Sequence, residues 1–186
     1  MDTKKIFFLI ALFLTFISYA EAHEKTWPEK RLRQIWPNAQ NFVSKQITLT
    51  SAQNSEIQAD GLKITSADRS PTFYLVKEKF SASEKSKTIG IIFFVDEAGD
   101  NGQMEITVAM GSDGQVKKVD LWESSENVLV KKDDFLKQFV GKIKTDSIVL
   151  GKDYQAVAEA PKASAAVARA VEKALKITNA VFEKKK

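Results

Sequence analysis

Cysteine is absent from all 186 residues and histidine occurs once. The first absence excludes disulfides, thiol nucleophiles, iron–sulfur clusters and thioether-linked haem. The second excludes a Ser-His-Asp triad. The lone His23 gains a free amine beside its imidazole if the chain is cut after Ala22, a pair able to chelate copper. No second histidine completes such a site, so His23 reads as part of an N-terminal lead. Charge of one sign is also scarce: 28 Lys and Arg stand against 24 Asp and Glu, a net +4. The basic residues are not interleaved with aromatics as single-strand binding requires, so nucleic acid is not an expected partner. There is no internal repeat, no low-complexity linker and, after residue 20, no apolar run of membrane-spanning length.

What is present begins with a leader. Lys4 and Lys5 precede the fifteen-residue apolar run Ile6 to Ala20, and Ala20-Glu21-Ala22 places small residues where a signal peptidase reads. This pattern predicts export, with cleavage after Ala22. The rival, an uncleaved anchor, is short of the ~20 residues that span a bilayer. The expected address is the periplasm or cell envelope. The expected organisation is a signal peptide at 1–22, a lead at 23–30, one domain at 31–183 and a basic tail at 184–186. A mature chain of this size is long enough to bury its own core without disulfides.

Hydrophobic spacing predicts a short helix from Glu29 to Ile35, a strand from Phe42 to Thr50, and a helix capped by Ser51 and closing near Gly61. Strands are predicted at Thr72 to Phe80, Thr88 to Val95, Met104 to Met110 and Val116 to Trp122, with Thr88 to Val95 at the centre of the sheet. Gly111-Ser112-Asp113-Gly114 predicts a tight hairpin, since Asp-Gly supplies the positive φ such a turn needs. Lys132 to Val140 reads as an amphipathic helix ended by Gly141. The last helix, from about Ala163, sets Val167, Ala170, Val171, Ala174, Leu175, Val181 and Phe182 on one stripe, with Arg169, Glu172, Lys173 and Lys176 facing outward. The class is α+β, a mainly antiparallel sheet with helices packed on it.

Three blocks in this order resemble the flavin mononucleotide (FMN) binding domain found in the sodium-pumping quinone reductase, in the related Rnf complex and in exported single-domain redox proteins. They are Met104 to Trp122, a strand, acidic-Gly turn and returning strand; Asp134 to Lys142, similar to the family's FL-x-QF-x-GK helix end; and the Ala-rich terminal helix. Ile35-Trp36-Pro37-Asn38-Ala39 before a strand ending Leu49-Thr50 resembles the opening of the exported members. The resemblance covers roughly Arg31 to Ile177.

In that family a Ser-Gly-Ala-Thr-x-(Ser/Thr)-Ser loop holds the flavin phosphate at the start of the last helix, and many members esterify the phosphate to its threonine. Aligned by the helix, this chain has Ala158 for the serine, Glu159 for the glycine and Pro161 for the threonine; Ala160 and Ser164 match. Pro161 has neither a hydroxyl nor an N–H, so covalent attachment there is excluded. Glu159 adds a repulsive carboxylate worth on the order of 1 kcal/mol. The resemblance implies a non-covalent FMN site drawn from Ala160, Lys162 and Ser164, with Trp122 available for stacking and Glu123 or Glu126 replacing the family's acidic loop residue. Residue by residue, Ser164 also reads as a helix cap, Trp122 as a core edge, and Glu123 and Glu126 as a solvated loop. No catalytic or metal constellation stands out. Two functions follow: a non-covalent flavin carrier passing electrons to a membrane or periplasmic redox protein, or a degenerate flavin scaffold serving as an envelope binding or assembly module.

Overall fold

The computed structural model describes residues 27–78, 85–122 and 124–182. Helix α1 (Glu29–Ile35) leads into strand β1 (Asn41–Gln46) and helix α2 (Ser51–Ala59). Strands β2 (Thr72–Glu78), β3 (Lys87–Ala98), β4 (Gln103–Gly111) and β5 (Val116–Trp122) follow. A short α3 (Asp133–Leu136), extended by a 3-10 turn over Lys137–Phe139, precedes the long α4 (Pro161–Phe182). The five strands form one antiparallel sheet in sequence order. The class is therefore α+β, with the apolar β3 at the centre of the sheet.

Side chains alternate across a strand, and both faces of this sheet are used. On one face Met104, Ile106 and Val108 of β4 and Val119 and Leu121 of β5 join Phe73, Phe93 and Val95 under α4. The stripe Ala163, Val167, Ala170, Val171, Ala174 and Leu175 is buried there, and Ile57 of α2 packs into the same cluster. On the other face Leu32 and Ile35 of α1 cover Phe42, Val76, Ile92 and Ala109. This second layer is only two helical turns long, so it leaves the far end of its face open.

Local chemistry explains most boundaries, with three adjustments. The first strand stops at Gln46 rather than Thr50. Thr50, not Ser51, is the N-cap of α2: its hydroxyl accepts from the Gln53 N–H while the Gln53 side chain accepts from the Thr50 N–H, a capping box worth about 1 kcal/mol. Pro161 opens α4 two residues before Ala163, a position where its missing N–H costs nothing. The β4–β5 hairpin closes as expected, with Gly114 at φ 77° and its N–H on the Gly111 carbonyl. The leader, His23, the end of the predicted strand at 79–80 and the basic tail lie outside the described residues. No helix among the described residues is long and apolar enough to cross a membrane.

Lys173 departs from the outward orientation expected of it. It is 3% exposed, with Nζ 3.0 Å from Asp68 Oδ2 and 2.9 Å from Glu97 Oε1. Glu97 comes from the end of β3 and Asp68 from a 3-10 turn, so both elements close over this side of α4. Arg169 remains exposed, whereas Glu172 and Lys176 are half-buried. The spacing itself held the clue: Ala166, Ala170, Lys173 and Ile177 follow the i, i+4, i+7, i+11 seam of a buried helix face, and all four are buried.

Candidate functional site

The start of α4 is where the family resemblance places a phosphate, because a helix N-terminus presents unpaired N–H groups and positive potential. Here the chain supplies its own anion. Asp100, in the tight turn between β3 and β4, accepts the Ala163 N–H at 2.8 Å. Pro161 has no N–H to give, and the Ser164 N–H already bonds the Ala160 carbonyl. At most the Lys162 N–H is left for an outside group.

Ala160 and Ser164 are brought together as structural residues. Ser164 is fully buried; its hydroxyl donates to the Ala160 carbonyl at 2.8 Å and accepts the Val157 N–H at 2.9 Å. It lies inside the first turn and stitches the preceding loop to the helix, which differs from the N-cap role expected of it. Lys162 and Glu159 are exposed. Glu126 is 6% exposed rather than solvated, and its carboxylate accepts from the Asn101 N–H at 2.7 Å and from Asn101 Nδ2 at 3.4 Å. Gly99 is pressed against it so closely that a Cβ would lie 2.3 Å from Glu126 Oε1. The β3–β4 turn is thus clamped between the loop after β5 and the start of α4. Glu123 lies outside the described residues.

Trp122 is placed elsewhere. It pairs in register with Glu105, and Glu105 forms an ion pair with Arg31 of α1. Trp122 therefore shares the α1 face of the sheet, opposite the face that carries α4. The Arg31 guanidinium sits 4.9 Å from the Trp122 ring and 4.2 Å from the Phe94 ring, a cation–π arrangement worth roughly 0.5–2 kcal/mol. The aromatic surface expected to stack on a flavin already carries a guanidinium.

These observations test the fit of FMN. A phosphate at α4 has to displace Asp100 from the Ala163 N–H, and a ring on that face of Trp122 has to displace Arg31. The two anchors also lie on opposite faces of one sheet. The residues present do not fit the flavin arrangement that the resemblance implies. Asp100 and Arg31 carry this conclusion, and no sequence motif marks either of them. Asp100 acts across 63 residues, beyond the reach of any local pattern.

Two buried cations remain among the described residues. Lys173 is satisfied by two carboxylates. Burial by itself lowers its pKa, but its hydrogen bonds to Glu97 and Asp68 outweigh that and hold it above the ordinary lysine value; it is a locked ammonium, unfit to act as an amine nucleophile. Arg31 is less complete. Its Nη2 reaches Glu105 and lies 3.5 Å from Thr107 Oγ1, yet its buried Nε has no acceptor among the described residues. Such an unsatisfied donor costs about 1–3 kcal/mol.

The fold so described is an α+β domain, a five-stranded antiparallel meander with a long helix on one face and a short one on the other. No protein-family model matches this chain, and no curated protein matches it.

Proposed function

We propose that this chain is a flavin-domain-like scaffold that works without flavin, as a binding or assembly module of the cell envelope. One observation carries the reading: the Asp100 carboxylate occupies the N-terminus of α4, where the family's phosphate would rest. Pro161 and Glu159 act in the same direction. The envelope address rests on the Lys4-Lys5, Ile6 to Ala20 and Ala20-Glu21-Ala22 pattern. A protein–protein or small-molecule role suits a domain whose polar groups at this end are engaged with one another rather than held ready for a cofactor.

Titration of FMN into the purified protein tests this directly, because free flavin is bright and stacking quenches it. No quenching is expected at ~100 µM protein, a concentration at which a site of about 6 kcal/mol begins to fill. Saturable quenching at micromolar protein, weakened by Lys162→Glu, would overturn the reading and restore a non-covalent flavin carrier with a redox partner.

A further inference from the structure

The two outer strands of the sheet are finished differently. Along β5 the edge is occupied: the Val116 N–H bonds the Lys142 carbonyl, and the Gly141 N–H bonds the Val116 carbonyl. The Leu121 N–H is taken by Asp120 Oδ1. Along β1 the edge is open. The Ile47 N–H bonds the Pro71 carbonyl at 3.1 Å, continuing the register in which Lys45 faces Phe73 and Val43 faces Leu75. Backbone direction alternates along an antiparallel pair, so the odd-numbered residues of β1 bond β2 and the even-numbered ones turn outward. Of these, Phe42 has its N–H on Asn41 Oδ1. The backbone groups of Ser44 and Gln46 have no partner among the described residues, and Val43 to Gln46 are all exposed. Edges are normally blunted by proline, a bulge, a covering loop or a charge. The one charge on β1, Lys45, is drawn toward α4, with Nζ 5.8 Å from the Phe182 ring.

We propose that β1 is a docking edge for an extended segment of a partner protein, added antiparallel to the five strands, in which one apolar residue is flanked by two carboxylates. Main-chain bonds to Ser44 and Gln46 supply the pairing, and the odd-numbered side chains set the chemistry. On the α4 face Lys77 stands beside Asn41, Leu75 beside Val43 and Phe73 beside Lys45. Val43 is 42% exposed, an aliphatic surface left uncovered at the edge. Lys77 and Lys45 bracket it, and neither has a carboxylate among the described residues: Lys45 lies over Phe182, and Lys77 donates to the Thr88 hydroxyl at 2.6 Å. An apolar side chain opposite Val43 covers that surface. Carboxylates two residues to either side meet the ammonium groups, since opposite charges attract across strands and like charges repel. A second copy of β1, NFVSKQ, offers no carboxylate to either lysine. The edge meets α4 at Phe182, the far end from Pro161, and its use does not depend on whether flavin binds.

The test is an amide NMR titration of the purified protein with the end-blocked peptide Thr-Glu-Thr-Ile-Thr-Glu-Thr and its charge-reversed form Thr-Lys-Thr-Ile-Thr-Lys-Thr. Saturable shifts at Val43, Ser44 and Gln46 are expected at about 1 mM acidic peptide, with binding of the basic one roughly fivefold to tenfold weaker, the scale of two cross-strand charge pairs. Lys45→Glu combined with Lys77→Glu should invert that preference. Methylating the peptide nitrogen of the third residue, which faces Ser44, should abolish binding; methylating that of the fourth, whose N–H points away, should not. Ser44→Pro removes the outward N–H without breaking a bond to β2 and should abolish binding as well. Should Ser44→Pro fail to fold, the methylated peptides decide with the protein unaltered. Basic peptide binding as tightly as acidic, equal effects of the two methylations, shifts confined to other regions, or no shift up to about 5 mM would each overturn the proposal. So would a dimer of the protein alone that Ser44→Pro dissolves, which assigns the edge to a second copy. Peptide binding with FMN also bound would remove the flavin-free reading alone; no peptide binding with FMN inert would remove the docking edge alone.

Discussion

Two basic side chains are buried on opposite faces of the same sheet, and they are finished differently. Lys173, under α4, meets two carboxylates and is closed in. Arg31, under α1, meets one carboxylate and two aromatic rings, keeps a donor without an acceptor among the described residues, and borders open space. Burial of a charge alone therefore says little about function: a fully paired ion is compatible with pure architecture. What separates the two is incomplete satisfaction next to a cavity. The 22-residue α4 lies along one face, whereas the seven-residue α1 leaves part of its own uncovered.

The comparison breaks first at Lys173. Lys173→Ala leaves Asp68, 8% exposed, without its cation and Glu97, 14% exposed, with only the half-exposed Arg169, and should cost about 3–5 kcal/mol in denaturant unfolding. Arg31→Met should cost less, about 1–2 kcal/mol, because Glu105 is 27% exposed and can draw on water. Equal losses would show that the two sites are not differently closed. The sign with pH is fixed as well. The folded pKa of Lys173 lies above its ordinary 10.5, so its stabilisation is complete below that value and is lost as pH rises through the folded one. Alkaline melting should fall more steeply for the natural protein than for Lys173→Met.

A smaller effect sharpens how α1 is held. Gly90 passes so close beneath Trp36 that a Cβ would stand 2.4 Å from the ring and 2.7 Å from the Met110 carbonyl oxygen. Gly90→Ala should cost about 1–3 kcal/mol through overpacking. Adding Trp36→Leu should recover only part of this, since the carbonyl remains. Full recovery in the double variant would mean that the ring alone sets the clearance.

The framework was legible because it is written locally. Glu29–Ile35 and Val116–Trp122 follow from helical and alternating spacing, and the hairpin at Gly111 to Gly114 from its Asp-Gly turn. The candidate site was not. Asp100 reaches α4 across 63 residues and Lys173 reaches Asp68 across 105, distances at which neither 3.6 nor 2 residue periodicity carries information. Lys173 adds a further lesson. Its spacing placed it in the core seam, and its charge argued the reverse; spacing prevailed because two acids from other elements arrive to meet it. The flavin-domain resemblance pointed to Ala160 and Ser164 as ligand contacts; in the structure the Ser164 hydroxyl bonds the Ala160 carbonyl and the Val157 N–H, stitching the loop to the helix.

The smallest effect bears on the opposite end of α4. Asp100→Ala removes both the acceptor for the Ala163 N–H and the negative charge at the helix dipole, and should cost about 1 kcal/mol. Asp100→Ser keeps a short hydroxyl acceptor while removing the charge, so it divides the two contributions. It also asks whether the helix terminus is phosphate-competent once its own anion is gone. Melting temperatures in phosphate and in chloride at matched ionic strength should be equal for the natural protein, while phosphate should stabilise Asp100→Ser. A phosphate effect of equal size in both would mean that Asp100 does not exclude anions, and the case for a flavin-free scaffold would lose its main support. A phosphate effect in neither would place the exclusion in Pro161 and Glu159, whose backbone and charge persist in every one of these variants.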